Sequence, residues 1–211
     1  MNSRTRVKIC GLTRIDDAMH AVGLGADAIG LVFHQPSPRS IDIESAIKIR
    51  KAMPPFVTIT ALLMNENEDW IERVIKQVQP DCLQFHGNEA SASCNRWELP
   101  YIKAIPMGSV GDAKAYASSY PEAQGFLLDS NVAGRQGGSG DTFDWSQIPS
   151  SFGSPLLLAG GLNPGNVAEA IVQVKPWAVD VSSGIEASKG IKDKDLMNQF
   201  FSEVKRGDAH A

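Results

Sequence analysis

Short apolar runs rich in Val, Ile, Leu and Phe recur along the chain, each followed by a stretch with helical spacing of apolar positions. The runs are RVKIC (6–10), AIGLVF (28–33), FVTITALLM (56–64), CLQFH (82–86), YIKAI (101–105), GFLLD (125–129), PLLLAG (155–160) and AVDVSS (178–183). Their starts lie 19 to 30 residues apart, the length of a strand, a helix and two loops. Between them, IDDAMHAVGLGA (15–26) places Ala18, Val22 and Ala26 on one helical face. DWIERVIKQVQ (69–79) repeats Ile71, Val74, Ile75 and Val78 at i, i+3, i+4 and i+7. NPGNVAEAIVQV (163–174) reads as a helix opening on an Asn cap with proline at its first position. The weakest helical stretch is the sixth, TFDWSQIP (142–149).

Parallel neighbours need crossover connections, so eight strand–helix units predict an all-parallel sheet. Eight units, with no G-x-G-x-x-G after the first strand, favour a single (β/α)8 barrel over 1–211 rather than an open doubly wound sheet. No linker or shift of composition divides the chain.

Hydrophobic content of 43% and charged content of 21% are ordinary for a globular domain. A formal net charge of −4 without a Lys/Arg run argues against a nucleic-acid partner. No apolar run is long enough for a membrane span, and the first eleven residues have positive charge but no apolar core of a signal peptide. Three cysteines, at 10, 82 and 94, give neither a disulfide framework nor a metal spacing. The expectation is a reduced cytoplasmic protein, monomer or homodimer, with Cys82 and Cys94 as packing residues.

In a parallel barrel the working groups stand at the C-terminal strand ends and in the loops beyond them. The last two strands stop in Gly160-Gly161 and Ser183-Gly184, just before segments of helical character, an arrangement suited to holding a phosphate. Strand one ends in Cys10-Gly11. A strand cysteine is ordinarily a small buried hydrophobe, but at a barrel mouth it can serve as a general base if its pKa falls below the free value of about 8.5. Lys8 points to the same side and either supplies positive charge or fills the mouth. Asp129, after Phe126, Leu127 and Leu128, either caps its loop or acts as an acid whose proton is held by desolvation. Arg39 follows Pro36-Ser37-Pro38 and is either a surface arginine or a bidentate trap for a carboxylate. His86 has no partner at metal spacing and orients substrate or packs at its strand end; His34 borders the same mouth. No metal or cofactor is expected. GGSG (137–140) is read as a loop that closes over a ligand.

VKICGLT (7–13), GADAIGLVF (25–33), SPRSI (37–41), LQFHG (83–87), LLD (127–129), GGSGDTFDW (137–145), LAGGLNPGNV (158–167) and AVDVSSGIE (178–186) together resemble the phosphoribosylanthranilate isomerase family, in order and over nearly the whole chain. The resemblance implies a (β/α)8 enzyme of tryptophan biosynthesis that carries out an Amadori rearrangement of N-(5-phosphoribosyl)anthranilate. It implies Cys10 as general base, Asp129 as general acid and Arg39 on the anthranilate carboxylate. Gln84 and His86 would contact substrate, Asp180 a sugar hydroxyl, and Gly160, Gly161, Ser183 and Gly184 the phosphate. TALLMN (60–65) departs from the usual third-strand ending, and Asp141 stands where an uncharged or basic residue is expected; it is expected to face solvent. Two rivals share the phosphate cradle. A histidine-pathway isomerase would have Asp at position 10 and matching half-repeats, and a non-catalytic sugar-phosphate binder would have lost Cys10 or Asp129.

Overall fold

The computed structural model describes residues 4–130, 143–149 and 152–211. Eight parallel strands close into a barrel in sequential order: β1 Arg6–Cys10, β2 Ala28–Val32, β3 Thr58–Leu63, β4 Cys82–Phe85, β5 Tyr101–Pro106, β6 Gly125–Asp129, β7 Leu156–Leu158 and β8 Ala178–Val181. The last of these pairs with the first, Lys8 standing directly opposite Asp180. Helices α1 Ile15–Leu24, α2 Ile43–Ala52, α3 Glu68–Val78, α4 Ser91–Asn95, α5 Ala113–Ser118, α6 Val167–Val174 and α7 Lys194–His210 cover the outside.

The strands are largely buried on both faces, which is why their sequences read as mostly apolar runs. The outward faces meet the helices in one large core that includes Ile9, Ile29, Ile59, Phe85, Leu128 and Phe200. Short polar side chains start the helices: Asp42 accepts from the Ser45 N–H (2.8 Å) and Asn67 from the Trp70 N–H (2.8 Å). At the N-terminal end of the barrel, Asp27 accepts from the Val7 N–H (2.9 Å) and Asp81 from the Ile59 N–H (2.8 Å). Each aspartate thus ties the start of its own strand to the preceding one.

The barrel interior is divided. Ala104, Leu127, Leu157, Ala159 and Ala178 form an apolar cluster on the β5–β8 side. The arc from β8 through β4 instead carries Asp180, Lys8, Cys10, Thr60 and Gln84, all buried.

Three elements differ from the sequence expectation. Helix α6 begins at Val167, because Asn163 spends its side-chain oxygen on the Gly165 N–H (2.8 Å) and Asn166 returns a contact to the Asn163 N–H (2.9 Å), making a tight turn first. After β6, the described part of the sixth helical stretch is one 3-10 turn, Trp145–Gln147; Pro149 disfavours helical geometry at Ile148. Beyond β8 a second 3-10 turn, Ser183–Ile185, leads into an unforeseen antiparallel hairpin of β9 Glu186–Ser188 and β10 Ile191–Lys192.

Candidate active site

The C-terminal strand ends surround a cavity open to solvent. Cys10, Arg39, Gln84, His86, Asp129, Gly160, Gly161, Asp180 and Ser183 all line it, so nine of the ten expected site residues converge. Gly184 is absent from the lining and packs instead behind Ser183, against the Leu162 carbonyl. The GGSG segment and Asp141 lie outside the described residues.

Cys10 and Asp129 end strands three places apart around the rim, so they enter the cavity from different sides. The thiol is 5% exposed. Burial pushes its pKa up, opposed by the cation of Lys8. Lys8 does not fill the mouth. It is a buried ammonium one layer below Cys10, 3.0 Å from the Asp180 carboxylate. Burial works to discharge it, but Asp180 and Cys10 together outweigh burial and hold its pKa above the ordinary value. Both Lys8 and Cys10 crowd Gly30 on β2: a Cβ there would lie 2.8 Å from the thiol sulfur and 3.2 Å from the ammonium. The thiol and its neighbouring cation therefore need a bare backbone beside them.

Asp129 sits 3.5 Å from His86 Nε2 and within 3.5 Å of the Ser130 hydroxyl. His86 Nδ1 is 3.2 Å from Gln84 Nε2, which makes a short polar chain from the interior of β4 to the Asp129 carboxyl. Gln84 is fully buried, and its Oε1 has no partner among the described residues. His86 is fastened from behind. Lys103 of β5 donates to the Gly87 carbonyl (2.5 Å) and to Glu89 (3.0 Å), while Glu89 accepts from the backbone of Asn65 and Gly87.

Gly160 follows β7 with φ +80°, in the left-handed region where a side chain is strained, and a Cβ there would strike the Ser130 backbone nitrogen. Gly161 has φ +66°, and its carbonyl accepts from the side chains of Asn163 (3.1 Å) and Asn166 (3.0 Å). Across from it, the 3-10 turn at Ser183 offers first-turn N–H groups that have no acceptor within the turn.

Arg39 is 7% exposed and already engaged: its Nε and Nη2 donate to the two oxygens of Glu186, both at 2.8 Å. Glu186 also accepts from the buried Lys192 (3.0 Å). Burial works against ionisation of Glu186, but Arg39 and Lys192 outweigh it and hold its carboxyl below the usual carboxylate range. Sequence reading missed Glu186, Lys192, Glu89 and Lys103, since their contacts depend on loop and hairpin geometry that spacing does not show; Glu186 and Lys103 stand inside AVDVSSGIE and YIKAI with no signal of their own. His34 lines the cavity as expected and pairs with Glu66 at 2.7 Å. Among the described residues, no group of three or more His, Cys, Asp and Glu is placed to hold a metal ion. No described helix is long and apolar enough to cross a membrane.

The chain has counterparts among known proteins. The sequence model described as N-(5'phosphoribosyl)anthranilate (PRA) isomerase matches residues 7–203. The N-(5'-phosphoribosyl)anthranilate isomerase of Pseudomonas fluorescens is 49% identical over 96% of this chain and 100% of its own. That of Xanthomonas oryzae pv. oryzae is 47% identical over 98% and 96%. Among solved structures, the phosphoribosyl anthranilate isomerase of Thermotoga maritima superposes with a TM-score of 0.85 at 40% identity, covering 95% of this chain and 98% of that one. A further phosphoribosyl anthranilate isomerase structure, in complex with reduced 1-(o-carboxyphenylamino)-1-deoxyribulose 5-phosphate, superposes at 0.79 with 38% identity over 95% and 98%. With that model spanning nearly the whole chain, and relatives almost half identical from end to end, this chain belongs to the N-(5'-phosphoribosyl)anthranilate isomerase family.

Proposed function

We propose that this protein converts N-(5-phosphoribosyl)anthranilate to 1-(2-carboxyphenylamino)-1-deoxyribulose 5-phosphate, acting in tryptophan biosynthesis in the cytoplasm. The observation that carries this reading is the convergence of Cys10 and Asp129, from β1 and β6, on one cavity walled by Arg39 and by the glycine-bearing ends of β7 and β8.

The chemistry is an internal redox exchange that needs no outside oxidant. Asp129, as the acid, gives its proton to the ring oxygen as the C1′–O bond breaks, and the nitrogen lone pair forms a protonated Schiff base. The iminium acidifies C2′–H, so a modest base suffices. Cys10, once ionised, takes that proton; the C2′–H electrons become the C1′=C2′ bond, and the iminium electrons return to nitrogen as an enolamine. Loss of the O2′ proton and protonation at C1′ complete the ketone. Lys8 and Lys192 favour the thiolate that burial opposes. His86, 3.5 Å from Asp129, is placed to hold the acid and touch the sugar. Asp180 faces the cavity with Lys8 behind it and suits a sugar hydroxyl. Phosphate fits the backbone of Gly160, Gly161 and Ser183, with Gly184 keeping the turn close to Leu162.

The test is a coupled assay. Phosphoribosylanthranilate is generated in place from anthranilate and phosphoribosyl pyrophosphate, and its fluorescence is followed. Rapid loss with the purified protein is expected. A folded protein that leaves the fluorescence unchanged would refute the reading.

A further inference from the structure

The sequence stretch EASKGIK (186–192) follows the last strand of the barrel; the chemistry above uses Lys192 only as a cation acting on Cys10 and leaves Glu186 without a role. Glu186 starts this hairpin and Lys192 ends it, with Gly190 (φ +81°) in the turn between them. The hairpin is fixed from outside: Thr13 donates to the Gly190 carbonyl (2.6 Å), and the Lys192 N–H donates to Asp17 (3.1 Å), itself held by both arms of Arg14. Inside, Lys192 has a fully buried side chain whose ammonium donates to the Ser182 carbonyl (3.0 Å) and to Glu186. Glu186 therefore cannot swing, and its two oxygens grip Arg39 along the Nε–Nη2 edge.

This grip has two consequences. It fixes the plane of the guanidinium, since a bidentate pair leaves no rotation about the contact. It also leaves Nη1 without a hydrogen-bond partner among the described residues, on a side chain that lines the cavity. Arg39 and Lys192 both flank the one Glu186 carboxylate, and although burial pulls the Lys192 pKa down, the always-charged Arg39 keeps a donor edge that suits one more carboxylate. We infer that Glu186, held by Lys192, is a positioning residue: it aims Arg39 at the substrate's aryl carboxylate and makes the site selective for carboxylated aryl amines. This rests on the reading of Arg39 given above.

A competing view treats Glu186 as an anion that merely offsets Arg39. The two views predict opposite results. If charge alone matters, Glu186→Gln adds net positive charge and tightens binding of an anionic substrate, while Glu186→Asp changes nothing. If position matters, both substitutions loosen the aim: the first removes the charge that holds the fork, and the second keeps the charge but shortens its reach.

The experiment measures kcat and KM on N-(5-phosphoribosyl)anthranilate and on N-(5-phosphoribosyl)aniline, which lacks the carboxylate. Both substrates form from the amine and ribose 5-phosphate. Both Glu186 variants are expected to raise KM for the carboxylated substrate about tenfold, with kcat within about threefold, so that the preference for it falls about tenfold. Lys192→Met should lower the preference in the same way, with a further fall in kcat because the cation that favours the Cys10 thiolate is gone, and Lys192→Arg should keep most of the preference. Two variants of opposite design keep the test usable if one fails to fold. Arg39→Met separates the two readings. If it leaves the preference intact, Arg39 does not bind the carboxylate and the earlier reading of that residue fails. If it abolishes the preference while the Glu186 variants keep or increase it, the positioning role alone is overturned.

Discussion

Lys8 and Asp180 face each other in register across the β1–β8 seam, their charged groups 3.0 Å apart and nearly inaccessible to water. A parallel barrel interior is ordinarily filled by branched apolar side chains. Here the closure of the sheet instead brings a cation beside Cys10, held in place by a carboxylate that also faces the cavity.

Removing one partner of such a pair leaves an uncompensated buried charge, so Lys8→Met or Asp180→Asn should each destabilise the fold by about 3–5 kcal/mol. The double variant should lose distinctly less than the sum, because it leaves neither charge stranded. Urea unfolding of the four proteins gives the coupling directly. Additive losses would mean that the two charges do not stabilise each other.

Cys10→Ala and Asp129→Asn should each lower kcat by about 10²–10⁴-fold while leaving KM close to its original value, the pattern for groups that act on protons in the transition state. Steady-state kinetics with the anthranilate substrate checks this. A variant that keeps its kcat would remove that residue from the proton transfers.

Gly30→Ala should impair turnover without touching Arg39 or the ends of β7 and β8. The added methyl would sit 2.8 Å from the Cys10 sulfur and 3.1 Å from its Cα, so the strand end must give way. The expected result is a drop in kcat of about tenfold or more with a smaller change in KM, since misplacement of a reacting group by a fraction of an ångström is costly. Unchanged kcat would show that the Cys10 position tolerates the shift.

Stability should fall on the alkaline side. Burial raises the pKa of Cys82 from 9.0 to about 11 and that of Cys94 from 9.0 to about 12. A thiol whose pKa is higher in the fold than in the unfolded chain binds its proton more tightly when folded. Its contribution is therefore complete below pH 9 and is lost as pH rises through the folded values. Urea midpoints should hold steady between pH 7 and about 8.5 and then decline. In Cys82→Ala and Cys94→Ala the decline should be shallower, whatever the midpoint at neutral pH. An equally steep decline in both variants would assign it to other groups.

Much of this could be read from the chain. Strand β1 and strand β6 match their predicted spans because a largely apolar run stops at Gly11 in the first and at Asp129-Ser130 in the second. Cys10, Asp129, Gly160 and Ser183 were found by one rule: they stand at the C-terminal ends of barrel strands. The hairpin of Glu186–Ser188 and Ile191–Lys192 was not legible, because three- and two-residue strands set no periodicity. Nor was the late start of α6, where two asparagines compete with the helix for the same backbone groups.

The sequence by itself determined the parallel barrel and the rim positions that face its cavity. Alternation of strand and helix is a local property, and its spacing leaves one sensible closure. The pairings that govern charge were decided only in three dimensions. Lys8 meets Asp180 across 172 residues, Arg39 meets Glu186 across 147, and Lys192 turns back under Ser182. Which cation answers which carboxylate depends on the register of closure and on burial. Neither leaves a trace in the spacing of residues along the chain.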